Sequence, residues 1–423
     1  MDLSPPRGTQ DFLPPAGSRL RALYDRAADT ARLYGYRYVE TPEFESTELI
    51  HRTSGESSDV VMKETYTFED RGGRSLTLRP EGTAPVLRAY LAQMHEQPSP
   101  FKAYYLCRMF RYGRPQSGRY REHRQFGIEV FGAPEPEADV EVIAVGHRYL
   151  RTLGLSRYDV QVNSIGDENC RPAYREKLLV YLRANRERLT DEHRDRFEQN
   201  PLRVLDCKDE ACRAVSAEAP QITDHLCDPC RRHFDAVLEG MKAEGIEPVI
   251  TPTLVRGLDF YTRTAFEFAS AVLSQAQATL FGGGRYDGLA EALGGPSVPG
   301  VGFGMGLERV MLALQDEGLT PPEEPALDVF VVGVGESGRA RAVDVLRSLR
   351  EASVRSASAY GERPLGAQLR MADRMGARFA VIIGEREATA GTVTLRRMSD
   401  GEQREFGLDQ VVAWVTTPEG ASS

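Results

Sequence analysis

The stretch from about residue 101 to 131 restricts the fold more than any other. Residues 103–111 and 124–131 both read as strands, and the loop between them carries Gly113, Pro115 and Gly118. Two strands this close, joined by turn residues, predict a long antiparallel hairpin. The loop is also chemically distinctive. Arg108 to Arg124 contains six arginines and one acid, Glu122, in a chain whose 62 acidic and 53 basic residues give a net charge of −9. A basic loop in an acidic protein invites phosphate; a solvated loop explains the same arginines with no ligand. On the returning strand Gln125, Gly127 and Glu129 share one face, because strand side chains alternate.

The surroundings mix strands and helices without regular alternation. Leu20, Leu23, Ala27 and Ala31 mark a helix over 18–34 that should stop near Gly35. A strand over 36–39 must end by Pro42, a strand covers 75–79, and a helix follows from Thr83 to Met94. Strand signals return at Arg256–Phe268 and Ala278–Phe281. Strand-dense regions with separate helices indicate an α+β fold. Residues 170–247 read as a charged helical insertion holding five of the six cysteines. The run Pro321–Pro325 marks a linker over 321–326, which leaves a core over 1–320 and an α/β domain over 327–423, read as mostly βαβ units.

At 41% hydrophobic and 27% charged residues, the composition is that of a globular chain with more than one core. No run of 18 apolar residues occurs, so no membrane span is expected. The segment Met1–Gly8 lacks the basic and apolar regions of a signal peptide, so a cytoplasmic location with reduced thiols is expected.

Three further segments carry candidate chemistry. Glu81 and Thr83 sit at a strand end, where a carboxylate and a hydroxyl could hold an ammonium group; a helix capped by Thr83 is the plainer alternative. Arg256-Gly257-Leu258-Asp259-Phe260-Tyr261 joins an arginine and an acid to two aromatics, but could simply be a strand start with a salt bridge. Gly302-Phe303-Gly304-Met305-Gly306 leads into a helix bearing Arg309. No βαβ unit precedes these glycines, which argues against a dinucleotide fingerprint; close approach followed by an arginine one turn into a helix suits a nucleotide phosphate better. In the insertion, Cys207-x4-Cys212 and Cys227-x2-Cys230 lie 14 residues apart. That spacing admits a tetrahedral zinc site. The loose first pair and the helical pattern favour free thiols, and no metal ligand is assigned.

Together these segments resemble the histidyl-tRNA synthetases, a family of class II aminoacyl-tRNA synthetases, from Arg7-Gly8-Thr9-Gln10-Asp11 through the C-terminal domain. The helix, strand and Pro42 resemble motif 1, residues 106–131 motif 2 and Gly302–Arg309 motif 3. Thr77–Thr83 and Leu254–Tyr261 resemble the two histidine-specific segments. The resemblance implies a class II antiparallel-sheet catalytic domain with a helical insertion, followed by an α/β anticodon-binding domain. It implies a homodimer through motif 1. It also implies activation of L-histidine by ATP, accompanied by Mg2+, to histidyl-adenylate, and transfer to the 3′ end of histidine tRNA.

By position, Arg111 and Arg256 would approach the α-phosphate from opposite sides, and Arg309 would hold the γ-phosphate. His123 would stack on adenine. Glu81, Thr83 and Gln125 would hold the α-amino group of histidine. Glu129 and Tyr261 would read the imidazole, with Gly82 and Phe260 completing that pocket. Arg114, Gln116 and Arg119 would meet the tRNA acceptor end. Twelve arginines against six acids between Arg339 and Arg397 would help the C-terminal domain hold tRNA.

Motif 2 departs from the family at three positions. Gly113 stands where an acid usually contacts adenine, His123 where phenylalanine usually stacks, and Arg124 where histidine is common. A non-catalytic relative, the regulatory subunit of ATP phosphoribosyltransferase in histidine biosynthesis, is the alternative. Retention of Arg111, Arg256, Arg309 and residues 327–423 argues against it.

Overall fold

The computed structural model describes residues 3–54, 64–207, 209–255, 260–273, 278–321, 323, 327–407 and 410–416. The chain forms two units, Met1–Glu323 and Glu324–Ser423. In chain order the strands of the first unit are β1 (Arg37–Tyr38), β2 (Phe44–Ser46), β3 (Tyr66–Glu69), β4 (Ser75–Leu78), β5 (Phe101–Phe110), β6 (Glu122–Phe131), β7 (Tyr158–Ser164), β8 (Pro248–Ile250), β9 (Thr262–Ser270), β10 (Thr279–Arg285) and β11 (Gly300–Gly306).

The expected hairpin is β5–β6, in register from Phe101 opposite Phe131 to Phe110 opposite Glu122. It sits within an eight-stranded sheet of order β1-β5-β6-β11-β10-β9-β7-β8. The six central strands are antiparallel; β1 and β8 add to the edges in parallel. A small sheet, β2-β4-β3, lies apart.

Alternation along β6 divides the sheet into two faces. Phe126, Ile128 and Val130 join the core beneath the helices Ala16–Leu33, Pro136–Thr152 and Asp228–Ala243. Gln125, Gly127 and Glu129 face the other way, toward the helix Thr83–Gln93 and the insertion helix Arg171–Ala184, whose core includes Tyr105, Tyr261 and Tyr286. The helix Ala16–Leu33 stops where the sequence indicates: Gly35 adopts φ +81°, and the amides of Gly35 and Tyr36 close the last turn onto Arg32 O and Ala31 O.

Gly302–Gly306, given no secondary structure by the sequence pattern, forms strand β11, paired on both sides by β6 and β10. Glycine normally weakens a strand, and here a strand is kept because close neighbours need the space. The strand expected at 256–268 begins at Thr262; residues 256–259 lie outside the described residues. Thr83 does not cap its helix. Gly82 is the N-cap, and Glu81 accepts hydrogen bonds from the Thr83 and Ala84 amides at 2.6 and 3.0 Å.

The second unit contains β12 (Leu327–Gly333), β13 (Ser356–Ser358), β14 (Ala377–Ile383), β15 (Thr392–Arg397) and β16 (Gln403–Gly407), in the order β13-β12-β14-β15-β16. The first three pair in parallel, as βαβ units require. The last three are an antiparallel meander that the sequence pattern did not reveal. At least seven of the twelve arginines between Arg339 and Arg397 pair with carboxylates of the same unit. No helix among the described residues is long and apolar enough to cross a membrane.

Candidate active site

Glycines in β11 and β6 make the floor of the site. Gly302 lies opposite Glu129, Gly304 opposite Gly127 and Gly306 opposite Gln125. A Cβ at Gly302 would fall 2.0 Å from Glu129 Oε2, and one at Gly304 would fall 1.6 Å from Gln125 Nε2. Missing side chains on one strand thus leave room for the polar side chains of the next. Gly127 and Gly82 do the same for Tyr105, whose ring carbon Cζ would lie 2.0 and 2.3 Å from a Cβ at those positions.

Tyr105 crosses this floor and joins the polar groups. Its hydroxyl donates to Glu129 Oε1 at 3.3 Å and accepts from Gln125 Nε2 at 3.5 Å. Glu129 is fully buried and also accepts from Thr83 Oγ1 at 2.8 Å and from the Tyr286 hydroxyl. Despite these donors, burial raises the Glu129 carboxyl to about 8. The Tyr286 ring packs against Phe260 and Tyr261 at 5.7 and 6.2 Å between centroids. Glu81, Thr83, Gln125, Glu129 and Tyr261 are therefore linked by one chain of contacts. Tyr105 and Tyr286 belong to that chain and were missed by the sequence reading. The inward alternation of β5 was the signal for Tyr105; Tyr286 follows a glycine run that had no assigned role.

Next to this cluster opens a cavity of about 360 Å³ lined by Arg111, Gly113, Arg119, His123, Gln125 and Arg309, among others. Backbone carbonyls, one in the connection after β4 and one in β10, anchor two of the guanidinium groups. Arg111 Nε donates to Pro80 O at 2.7 Å, and Arg309 Nη1 donates to Thr279 O at 2.5 Å. Arg309 Nε also reaches Gly118 O at 3.4 Å, tying the hairpin loop to the helix Leu307–Asp316.

Positive charge is crowded here. Burial lowers the pKa of Arg309, and Arg119 and Arg111 lower it further. Burial also lowers the pKa of Arg111; the nearby Glu64 and Glu81 oppose that shift. His123 is pushed down to about 3 by burial and then by Arg111, Arg309, Arg124 and Arg119. Its ring is therefore neutral at pH 7. A cavity walled by anchored guanidinium groups offers fixed positive charge and hydrogen-bond donors to an anion such as a phosphate.

Gly113 leaves the cavity wall without the acid expected of the family, and Glu64 is close by. A Cβ at Gly113 would lie 3.4 Å from Glu64 Oε1, which pairs with Arg119 at 2.6 Å. Arg114 and Gln116 are exposed on the hairpin loop, whereas Arg119 also lines the cavity. Arg124, on the opposite face, is buried, and its backbone amide donates to Glu308 at 2.9 Å. Arg256 lies outside the described residues.

The four insertion cysteines do not converge on one another. Cys227 and Cys230 gather with Asp167 and Cys170, while Cys207 and Cys212 gather with His193. The single site that the spacing suggested is thus split between two places.

Comparison with known proteins supplies the family. Residues 8–310 match the family profile described as histidyl-tRNA synthetase, and residues 328–417 match an anticodon-binding domain. The chain is 50% identical to the histidine–tRNA ligase of Moorella thermoacetica over 410 residues, covering 97% of each chain. It is 46% identical to that of Halothermothrix orenii over 413 residues, covering 97% of this chain and 98% of the relative. The crystal structure of the apo S. aureus histidyl-tRNA synthetase superimposes with a TM-score of 0.81 at 35% identity, covering 98% of this chain and 99% of that one. With an antiparallel class II sheet, a glycine-floored polar cluster and an arginine-lined cavity, the chain belongs to the histidyl-tRNA synthetase family.

Proposed function

We propose that the chain is a histidine–tRNA ligase. It joins L-histidine to ATP, forming histidyl-adenylate and pyrophosphate, and transfers the histidyl group to the 3′ end of its tRNA. The convergence of Arg111, Arg309 and His123 on one cavity beside the Glu129 cluster carries this reading. Attack of the histidine carboxylate on the α-phosphorus builds negative charge on a pentavalent phosphorus. Arg111 stabilises it from the sheet, and Arg256 from the opposite side. Arg309 holds the γ-phosphate. Guanidinium groups anchored beforehand need little reorganisation as that charge develops. Mg2+ would accompany ATP as part of the substrate and offset the charge of the triphosphate. Among the lining residues only Glu308 is acidic, and the Arg124 amide already occupies it, so the wall offers few oxygens for a resident ion.

Glu129 and Tyr261, with Gly82 and Phe260 completing that pocket, read the imidazole, while Glu81, Thr83 and Gln125 orient the α-amino end. A neutral imidazole carries one N–H donor and one bare acceptor. Glu129 and a phenol complement that pair. Glu129→Gln is expected to raise the KM for histidine about 10–100-fold, the scale of leaving a buried polar group without its hydrogen-bond partner, with ATP KM nearly unchanged. Steady-state exchange at varied histidine measures it, and an unchanged histidine KM would remove Glu129 from recognition.

His123 stacks on adenine as an uncharged ring. His123→Phe should therefore keep ATP KM within about threefold. His123→Ala should raise it about tenfold, the scale of a lost aromatic contact. If both variants behave alike, the ring does not stack.

Residues 1–320 carry the chemistry, with the insertion at about 170–247; the linker 321–326 leads to residues 327–423, which read the anticodon. Arg114, Gln116 and Arg119 meet the acceptor end. The active form is a cytoplasmic homodimer joined through the segment from Ala16–Leu33 to Pro42.

A further inference from the structure

We propose that Asp167, Cys170, Cys227 and Cys230 form a structural zinc site that clamps the helical insertion to the catalytic sheet. One donor atom from each residue lies within 4.8 Å of all the others. Asp167 Oδ1 is 3.8 Å from the sulfurs of both Cys170 and Cys227. Tetrahedral zinc, with Zn–S of about 2.3 Å and Zn–O of about 2.0 Å, places neighbouring donors roughly 3.5–3.8 Å apart. The gathered side chains thus need only a small contraction to reach a complete tetrahedron.

Local geometry supports a built site. Asp167, Cys170 and Cys230 are 4%, 5% and 0% exposed. Gly166, at φ +66°, turns the chain so that its Cα faces Cys170; a Cβ there would fall 2.6 Å from that sulfur. The carboxylate is oriented by the Asn169 amide, which donates to Oδ1 at 3.0 Å, and by Arg263, which donates to the other oxygen, Oδ2, at 3.4 Å; metal-binding carboxylates are commonly held by such hydrogen bonds. Three soft sulfurs and one oxygen suit zinc and exclude the hard cations magnesium and calcium. On binding, each thiol gives its proton to solvent and donates as thiolate.

The placement gives the site its purpose. Asp167 and Cys170 lie between β7 and the first insertion helix, Arg171–Ala184. Cys227 is the N-cap of the last insertion helix, Asp228–Ala243, and Cys230 lies in its first turn. One ion would therefore tie the start of the first insertion helix and the start of the last one to the end of β7. The pinned loop also supports a substrate-facing segment. The Ile165 amide donates to Arg263 O at 2.7 Å, the Arg263 amide donates to Gly166 O at 2.8 Å, and Arg171 Nη2 donates to Tyr261 O at 2.7 Å.

His193, Cys207 and Cys212 form a second gathering, with His193 Nε2 buried and without a hydrogen-bond partner. It offers three donors where a closed structural site uses four, so the experiment keeps the two apart. Full-length protein purified without added zinc would be analysed by plasma mass spectrometry as wild type, as Cys170→Ser, as Cys230→Ser and as the double variant Cys207→Ser/Cys212→Ser. One zinc per chain is expected to remain in the double variant, and one equivalent to disappear from each single variant relative to wild type. A metal-free double variant, or Cys170→Ser and Cys230→Ser with wild-type zinc content, would overturn the proposal. So would a Cys227–Cys230 disulfide with no metal.

Should the single variants Cys170→Ser and Cys230→Ser fail to fold, cobalt exchange decides the question. The Co2+ form of the double variant should show thiolate charge-transfer and tetrahedral ligand-field bands; their absence would also overturn the site. Asp167→Cys should retain the metal and strengthen the charge-transfer band.

Discussion

Replacing Arg309 by alanine is expected to slow histidine-dependent ATP–pyrophosphate exchange about 10²–10³-fold, with histidine KM almost unchanged. That is the scale of losing one preorganised donor to charge in the transition state. Arg309 is held by Thr279 O and Gly118 O at one wall of the arginine cavity, where the proposed mechanism puts the γ-phosphate. Arg309→Lys should recover only part of the loss, because an ammonium cannot reproduce the planar fork. Single-turnover adenylate formation separates the step from product release. An alanine variant with wild-type turnover would remove Arg309 from the chemistry. A parallel loss of thermal stability would show that the two backbone anchors, not the phosphate, account for the effect.

Ending the chain at Glu323 is expected to lower kcat/KM for tRNA charging about 10³-fold, the scale of losing several phosphate contacts together. Exchange should stay within about tenfold of wild type. The second unit has its own cores, around Val329, Phe379 and Leu395 and around Phe330 and Ala380. Its removal need not unfold the first. Several of its arginines are already paired within the unit, so the intact protein's salt dependence should be shallower than twelve free arginines would give. Charging assays on full-length and shortened protein, across a range of salt, measure both effects. Unchanged charging by the shortened chain would show that tRNA selection lies elsewhere.

Period-2 alternation and turn residues made the β5–β6 hairpin readable, including the shared face of Gln125 and Glu129. The C-terminal parallel strands β12 and β14 were readable for a different reason: each carries an apolar run, Val329–Val332 and Phe379–Ile383, close to a helix. Gly302–Gly306 was not readable as a strand, because three glycines in five residues lower strand propensity. The missing Cβ atoms are explained only by Glu129 and Gln125 on the neighbouring strand, a contact some 175 residues distant in sequence. Tyr286 was hidden similarly, since its partner Glu129 lies 157 residues away. The cysteines show the limit of spacing arguments. Cys207 and Cys227 look like halves of one site, yet the insertion's helices carry them to different partners, and Asp167 and Cys170 sit outside the spaced pattern.

The most direct measurement is isotope exchange between pyrophosphate and ATP, catalysed by the purified wild-type chain and tested with each amino acid separately, without tRNA. Arg111, Arg309 and His123 around one cavity, beside the Glu129 and Tyr261 cluster, predict exchange with histidine and none above background with the others. Absence of histidine-dependent exchange would contradict the assignment and favour the non-catalytic regulatory relative; equal exchange with a second amino acid would contradict the imidazole recognition assigned to Glu129 and Tyr261.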